Sequence, residues 1–377
     1  MKVVVTSFLK KKLTIWHLIF ASLIVHLALI ILSAPYTNYD THSVRIVGEK
    51  ILHGTNIYPT IAMGRHPYFP LFLYFEAGSL LLSTKLFSQV MLLKVLFSLA
   101  NLAVVYLIYI LSKKNILLAL LYAFNPISLL ITCFQGQFDS IPVFFLLLSI
   151  HFLHTKHKVP ALLALSGAIA FKTWPVLFVI PLLKRMNKAF SLKKIFVQVA
   201  ILVSVPLICT LVYSLLFRAN PLFIGKVILS YGGVINVWGL GKGLFLLFGN
   251  NKLAFFFFKI LSVAVILLFE LKNKEETLYS QLFMALLLFF VITPGFGIQY
   301  FFWIIPFALL SGKWGVKEYI SILCSVITTY LVFMGLSLSE IWVDTIYFIT
   351  WIVLSTSFVE FLVYPLLLPL SKSKKIS

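Results

Sequence analysis

Long apolar stretches separated by short polar ones run through the whole chain. About 20 apolar residues are enough to cross a bilayer as a helix, and no segments of alternating apolar and polar residues indicate a membrane barrel. We therefore predict an all-α, polytopic integral membrane protein, a single transmembrane domain over residues 1–377 with roughly 10 to 13 crossings. The apolar segments are 13–34, 68–84, 89–112, 116–132, 140–154, 160–183, 195–217, 253–271, 277–293, 299–312, 318–337 and 343–370.

Composition agrees with a membrane location. Hydrophobic residues make up 61% of the chain, charged residues make up 11%, and the mean hydropathy is +1.04. An ordinary soluble domain has about 25% charged residues. The first segment is too long for a secretory signal and lacks a small-residue cleavage site, so we interpret it as a retained anchor. The cysteines, Cys133, Cys209 and Cys324, have no metal-ligand spacing.

Basic residues far outnumber acidic ones, with 31 Lys and Arg against 11 Asp and Glu and a net charge of +20. They cluster in short loops between apolar segments, as the positive-inside rule predicts for cytoplasmic loops, so the excess does not indicate a nucleic-acid partner. Placing the lysines at 10–12 in the cytoplasm makes 35–67 the first extracytoplasmic loop. The other loops on that outer side are 133–140, 218–252 and 293–300.

Two regions do not fit a simple alternation of crossings. Segments 68–84 and 89–112 both lie between the first outer loop and the lysines at 113–114, so either one segment only dips into the membrane or the charge rule is broken there. Segment 160–183 has basic loops on both sides and the motif KTWP (172–175) at its centre. A hairpin or a broken helix with this motif at its outer tip would resolve the conflict.

The first outer loop, 35–67, concentrates polar residues. From Asp40 onward, apolar residues recur at helical spacing and "HG" at 53–54 supplies a stop, which predicts a short amphipathic helix on the outer membrane surface. Asn38 or Asp40 would cap its N-terminus, where the helix dipole favours an anion, so we expect Asp40 to be ionised without a raised pKa. A purely capping role for Asp40 stays open.

Further polar candidates stand where the chain meets the same membrane face. Arg65 and His66 precede a re-entering segment, where a cation and an imidazole suit an anionic headgroup, although snorkelling side chains would look the same. Gln137 and Asp139 lie between apolar runs. Asp139 is expected to cap the helix that opens at Ser140, which does not exclude contact with substrate hydroxyls.

Lys172 lies inside an apolar segment with no acidic residue nearby in sequence, and an intramembrane lysine is a functional candidate. It either pairs with a carboxylate such as Asp139 or Asp40, or holds a ligand phosphate. Gln299 and Tyr300 are candidate ligand contacts at an outer membrane edge, where an aromatic belt is the alternative for Tyr300 and Trp303.

Five stretches, in this order and with this character, resemble the polytopic glycosyltransferases of superfamily C that use polyprenyl-phosphate sugar donors. The resemblance runs from about residue 13 to residue 310, and the branches most similar are GPI mannosyltransferase I and the bacterial polyprenol-phosphate-mannose-dependent mannosyltransferases. Residues 311–377 contain no matching motif. The five stretches are YDTHSVRIVGEKILHGTNIYP (39–59), YFPLFLYFEAG (68–78), FNPISLLITCFQGQFDSIP (124–142), FKTWPVLFVIPLL (171–183) and GIQYFFWIIP (297–306).

The resemblance implies an active site facing away from the cytoplasm, a carboxylate of the first outer loop as catalytic base and a lipid phosphate as leaving group. By position, Asp40 would be that base. Some members have two acidic residues close together here, whereas this chain has Asn38 and Asp40. The implied donor is a polyprenyl-phosphate sugar, with mannose suggested by the most similar branches, and the implied acceptor is a lipid or glycan hydroxyl.

The residues suit an inverting transfer, because Asp40 can accept the hydroxyl proton while Lys172, Arg65 or His66 stabilises the departing phosphate. No acidic cluster or Cys/His spacing proposes a metal, so we expect a metal-independent reaction without cofactors. The expected location is the plasma membrane in a prokaryote or the endoplasmic reticulum in a eukaryote. Two alternatives stay open, namely a transporter or flippase for a lipid-linked sugar, and an oligosaccharide ligase or polymerase.

Overall fold

A computed structural model describes residues 14–84, 87–187, 192–231, 233–273, 277–313, 315–336 and 338–367. These ranges are almost entirely helical and contain no β-strand, which confirms the all-α prediction; Val234 and Phe296 form one isolated antiparallel bridge. The N-terminal lysines on which the predicted orientation depends lie outside the described residues.

The chain divides into two compact units. Unit 1 comprises Met1–Tyr231 and Gln299–Leu310, and unit 2 comprises Gly232–Ile298 and Ser311–Ser377. The helices of the first range are α1 (Ile15–Leu32), α2 (Tyr39–Leu52), α3 (Ala62–Arg65), α4 (Leu71–Leu81), α5 (Gln89–Leu111), α6 (Ile116–Ala123), α7 (Pro126–Leu129), a π-helix (Leu130–Gln135), α8 (Ser140–His154), α9 (Lys158–Phe171), a 3-10 helix (Trp174–Phe178), α10 (Val179–Met186), α11 (Leu192–Phe217) and α12 (Pro221–Ser230).

The remaining helices lie in the second half of the chain. They are α13 (Gly239–Phe248), α14 (Lys252–Lys272), α15 (Leu278–Ile292), a 3-10 helix (Ile298–Tyr300), α16 (Phe301–Ser311), α17 (Val316–Phe333) and α18 (Glu340–Leu367). In unit 2, hydrogen bonds between hydroxyl groups join α17 to α18, as between Ser325 and Thr350 at 2.9 Å. Within the motif-free segment, the described residues thus form a helix pair, α17 and α18, joined by hydroxyl hydrogen bonds.

Five helices in the described ranges are long and apolar enough to cross a membrane: α1, α5, α11, α14 and Glu340–Val363 of α18. A sixth crossing arises if the pair Ile116–Ala123 and Pro126–Gln135, bent by 45°, counts as one. These helices support a multi-pass membrane protein. The predicted 10 to 13 crossings require that shorter apolar helices, such as α8, α9 and α15, also cross.

The polar helix of the first outer loop is present as α2, with the predicted stop at His53 and Gly54, whose φ of +70° suits glycine. The sequence predicted that the apolar face of this helix lies on the membrane surface. In the structure this face packs against protein instead. Val47 and Ile51 are buried in a protein cluster with Leu73 of α4. The helix is therefore held by the protein itself, which is a firmer support for Asp40 than an interfacial helix would give.

Helix α4 explains the conflict found in segment 68–84. It has 11 residues, which at 1.5 Å per residue is about 16 Å, too short for a hydrocarbon core of about 30 Å. The backbone passes close to α2, because Gly48 of α2 faces the Glu76 carbonyl and the Gln89 side chain, with no room for a methyl group. A short segment that dips into the membrane agrees with a cytoplasmic position for Lys113 and Lys114.

The helix predicted to break at KTWP is broken there. Helix α9 ends at Phe171, Lys172 has extended backbone (φ −143°, ψ 146°), and a 3-10 turn with Pro175 leads into α10. Proline cannot continue the α-helical hydrogen-bond pattern, which accounts for the break. The consequence is that Lys172 stands at a helix end with its side chain directed to other elements.

Candidate functional site

Asp40 is free of the capping role that the sequence left open. Asn38 caps α2, because its side chain accepts a hydrogen bond from the Thr41 N–H at 2.9 Å while the Thr41 hydroxyl accepts one from the Asn38 N–H. The Asn38 amide also donates to the Gln135 carbonyl at 3.0 Å. Asp40 therefore stands in the first turn of α2 with its carboxylate available, next to the loop that carries Gln137.

Gln137 holds one oxygen of the Asp40 carboxylate. Its Nε2 donates to Oδ2 of Asp40 at 2.5 Å, while Oδ1 has no hydrogen-bond partner among the described residues. The Asp40 side chain is exposed, whereas Gln137 is buried. One carboxylate oxygen is thus fixed by the protein and the other is accessible to a ligand.

The pKa of Asp40 is raised above its ordinary value, contrary to the prediction from the helix terminus. Partial desolvation by the surrounding protein is the largest cause, and the charge of Asp139 adds to it. The charge of Lys172 and the hydrogen bond from Gln137 lower the pKa again. Asp40 is therefore accessible to solvent but set among protein atoms on several sides, in a recess that makes its carboxylate more basic.

Asp139 forms the buried centre of the site. It occupies the N-cap position of α8, as predicted, but its side chain makes no capping hydrogen bond. Its Oδ2 lies 2.7 Å from Nζ of Lys172, and its Oδ1 accepts a hydrogen bond from the indole N–H of Trp303 at 2.5 Å. Both carboxylate oxygens are thus satisfied, which is the condition under which a buried ion pair is tolerated.

Lys172 pairs with a carboxylate, which is one of the two roles that the sequence left open. The side chain is buried, pairs with Asp139 rather than Asp40, and lies 4.4 Å above the Phe138 ring and 5.7 Å from the Tyr68 ring. An ammonium group between a carboxylate and two aromatic faces is well stabilised. Lys172 therefore stabilises the site through its ion pair with Asp139. Its positive charge acts on Asp40 without a direct contact.

His66 and Arg65 are neighbours in sequence but occupy different environments. His66 is 1% exposed; its Nδ1 lies 3.1 Å from Oε2 of Glu76 and its ring stacks on Phe72. Arg65 is half-buried, donates to the Ser43 hydroxyl at 3.0 Å, and lies 4.8 Å above the Tyr39 ring. Only Arg65 is thus placed where a ligand could reach it, beside the residue that precedes Asp40.

Tyr300 belongs to the cluster, while Gln299 is not joined to it by the described contacts. The Tyr300 ring stacks on Trp303 at 4.2 Å, and Trp303 in turn stacks on Trp174 at 4.5 Å. Trp303 is almost completely buried, so it does not form the interfacial belt that the sequence allowed. Instead, the stack holds the Trp303 ring, whose indole N–H donates a hydrogen bond to Asp139.

Sequence reasoning missed Lys94, a second buried lysine. It lies in α5, and its Nζ donates to the hydroxyl (2.8 Å) and the carbonyl (3.3 Å) of Ser33, which ends α1. The Ser33 hydroxyl donates to the Cys133 carbonyl at 2.9 Å. The rule that flagged Lys172 also applies to Lys94, since the sequence QVMLLKVLF places it within an apolar helix. Lys94 anchors the π-helix that leads to Gln137.

The residues brought together are Asp40, Gln137, Asp139, Lys172, Trp303 and Tyr300, all in unit 1. Among the described residues, no group of three or more His, Cys, Asp or Glu side chains is arranged to hold a metal ion. Comparisons of the sequence with protein-family models and with curated proteins find no match. Function must therefore be argued from this geometry and from the motifs.

Proposed function

We propose that the chain is a membrane glycosyltransferase that moves a hexose, mannose by its motif resemblance, from a polyprenyl-phosphate donor to a hydroxyl of a lipid or glycan acceptor on the extracytoplasmic side. The observation that carries the proposal is the geometry of Asp40. Its Oδ2 is held by Gln137, its Oδ1 has no partner in the described part of the chain, and the side chain is exposed. A general base needs this combination of fixed orientation and access.

In this reaction the acceptor hydroxyl oxygen attacks the anomeric carbon of the donor sugar, and its proton passes to the Asp40 carboxylate. The bond between the anomeric carbon and the phosphate oxygen breaks on the opposite face, its electron pair leaves with the phosphate, and the configuration inverts. The raised pKa of Asp40 favours this role, because a more basic carboxylate takes up the proton more readily.

The departing phosphate needs positive charge. Of the three cations proposed from the sequence, Lys172 and His66 are buried beside Asp139 and Glu76 respectively. Arg65 has no carboxylate partner within the described ranges and is partly exposed. Arg65 is therefore the proposed phosphate contact, while Lys172 acts through the local charge balance.

The test uses purified protein in liposomes with radiolabelled polyprenyl-phosphate mannose, a lipid extract from the source cells and EDTA. Wild type should yield labelled glycolipid, and Asp40→Asn should lower the rate by about 10²- to 10⁴-fold, the typical contribution of a general base. Glu49→Gln is the matched control, since Glu49 lies on the same helix and forms a surface ion pair with Arg45.

An equal loss in the Glu49→Gln control would assign the effect to α2 rather than to base catalysis. Donor that crosses the liposome membrane without forming product would favour the flippase alternative. Product from a diphosphate-linked oligosaccharide, and none from polyprenyl-phosphate sugars, would favour a ligase or polymerase. Loss of activity with EDTA would contradict the metal-independent reaction.

A further inference from the structure

Three tyrosines lie beside the cluster of Asp139, Lys172 and Trp303. The Tyr68 ring lies 5.7 Å from Nζ of Lys172 and packs on Phe138, the neighbour of the residue that binds Asp40. Tyr68, Tyr231 and Tyr300 are all half-buried, all lie outside the long apolar helices and all belong to unit 1. The rings of Tyr68 and Tyr231 lie 6.4 Å apart at 63°, and the ring of Tyr300 is fixed by its stack on Trp303. All three phenols are therefore partly exposed, and Tyr68 and Tyr300 contact the same cluster through Lys172 and Trp303.

The pKa values of these three phenols respond to the charge of Asp40. Burial raises the pKa of all three phenols, to about 12 for Tyr231, and the charge of Asp40 raises each of them further. Asp139 has the same effect on Tyr68 and Tyr300. The phenols therefore stay neutral at physiological pH, so each can both donate and accept a hydrogen bond.

The charge balance of this space disfavours an anion. Asp40 and Asp139 contribute two acidic groups and Lys172 one basic group, and Lys172 already faces Asp139. A phosphate placed among the tyrosines would meet the negative charge of Asp40, while Lys172 is already paired with Asp139, and like charges repel. A neutral ligand rich in hydroxyl groups meets no such cost.

The same groups suit a pyranose ring. Phenol hydroxyls and a carboxylate match the donors and acceptors of sugar hydroxyls, and aromatic faces match the apolar C–H face of the ring. No hydrogen bond of the Tyr68 hydroxyl is found among the described residues, and Tyr68 is half-buried. This hydroxyl is therefore available to a ligand.

We propose that Tyr68, Tyr231 and Tyr300 form a neutral subsite that binds the hexopyranose ring of the lipid-linked donor against Asp40, separate from the place where the phosphate binds. The assignment of this ring to the donor rests on the proposed function. It adds Tyr68 and Tyr231, which were not site candidates from the sequence, although Tyr68 begins the stretch YFPLFLYFEAG (68–78).

The test is equilibrium binding in detergent without acceptor, comparing polyprenyl-phosphate mannose with bare polyprenyl phosphate. Wild type should bind the sugar-bearing lipid more tightly. Each of Tyr68→Phe, Tyr231→Phe and Tyr300→Phe should weaken binding of the mannosyl lipid by about 2- to 10-fold, the usual net value of one hydrogen bond, and leave the bare lipid unchanged. Removing a hydroxyl keeps the ring packing, so the variants should fold.

Tyr106→Phe is the control, because Tyr106 lies on α5, stacks on Trp16 and is remote from this cluster. Equal affinity of wild type for the two lipids, or equal weakening of both by the three variants, would overturn the sugar subsite while leaving lipid-phosphate binding intact. Failure of wild type to bind either lipid would overturn the proposed donor class and the subsite with it.

Discussion

The ammonium nitrogen of Lys172 lies 2.7 Å from Oδ2 of Asp139, and neither residue is more than 4% exposed. In so poorly hydrated a place, each charge is tolerable only because the other is present. The indole N–H of Trp303 satisfies the second oxygen of Asp139. The pair of Asp139 and Lys172 is therefore neutral overall, and both oxygens of Asp139 have a hydrogen-bond partner.

Asp139→Asn should strongly destabilise unit 1. The change leaves the Lys172 charge buried without a counter-charge, and breaking a buried pair in this way typically costs about 3–5 kcal/mol. The free energy of unfolding in detergent measures the effect. The double variant Asp139→Leu with Lys172→Met should be less destabilised than the sum of its two single variants; simple additivity would contradict the coupling.

Gln137→Leu should shift the pH dependence of transfer. The amide hydrogen bond favours the ionised form of Asp40, so its loss raises the pKa of Asp40 further. Because the base acts deprotonated, the acidic limb of the rate profile should move to higher pH. We expect a shift of less than about one pH unit, since water can replace the amide at an exposed carboxylate.

Gln198→Leu is the control for that profile, because Gln198 is bound to Asn187 and not to Asp40. The acidic limb of the pH–rate profile of Gln198→Leu should lie at the same pH as in wild type. A lower rate for Gln137→Leu with an unmoved limb would mean that Gln137 only positions Asp40, without affecting its ionisation.

Gly136→Ala should lower both stability and transfer rate. Gly136 has a φ of +76°, and a methyl group there would lie 3.0 Å from Cε of Lys94. The left-handed backbone alone costs a non-glycine residue about 1–2 kcal/mol. Gly54→Ala is a matched control, because Gly54 has a φ of +70° with nothing within 4 Å of the added carbon. A loss no greater than that of the control would exclude a role for the Lys94 contact.

Gly48→Ala should destabilise the packing of α2 on α4. The added carbon would lie 2.9 Å from the Gln89 amide nitrogen and 3.0 Å from the Glu76 carbonyl oxygen. Overpacking of this kind costs about 1–3 kcal/mol. Gly78 lies on α4, and nothing lies within 4 Å of a methyl group added there. Gly78→Ala should therefore stabilise the helix by about 0.5–1 kcal/mol. Thermal unfolding of the two variants in parallel checks the opposite signs.

Local patterns predicted α2, the break at Lys172 and the helix beginning at Ser140, because capping, helical spacing and proline act over a few residues. Asn38 rather than Asp40 is the cap because it forms a local capping box with Thr41, and its amide also binds the Gln135 carbonyl, 97 residues away. Trp303 binds Asp139 across 164 residues. Such contacts arise from tertiary packing, which a single sequence does not reveal.

The two alternatives left open for 68–84 and the interfacial helix predicted in the first outer loop have similar physical causes. The apolar pattern of 68–84 gave no sign that its helix would have only 11 residues. Composition of the first outer loop indicated an interfacial helix, since apolar residues on one face look the same whether they meet lipid or protein. The packing of Val47 against Leu73 required knowledge of α4.

Residues 299–310 join unit 1 although 67 intervening residues belong to unit 2 (Gly232–Ile298). If the polypeptide were cut after Tyr231, the first fragment would keep Asp40, Asp139 and Lys172 but lose the indole that satisfies Asp139. The second would retain Trp303 without its acid. Each fragment would need the other for assembly, so the region encoding Trp303 cannot be exchanged between proteins independently of the region encoding Asp139.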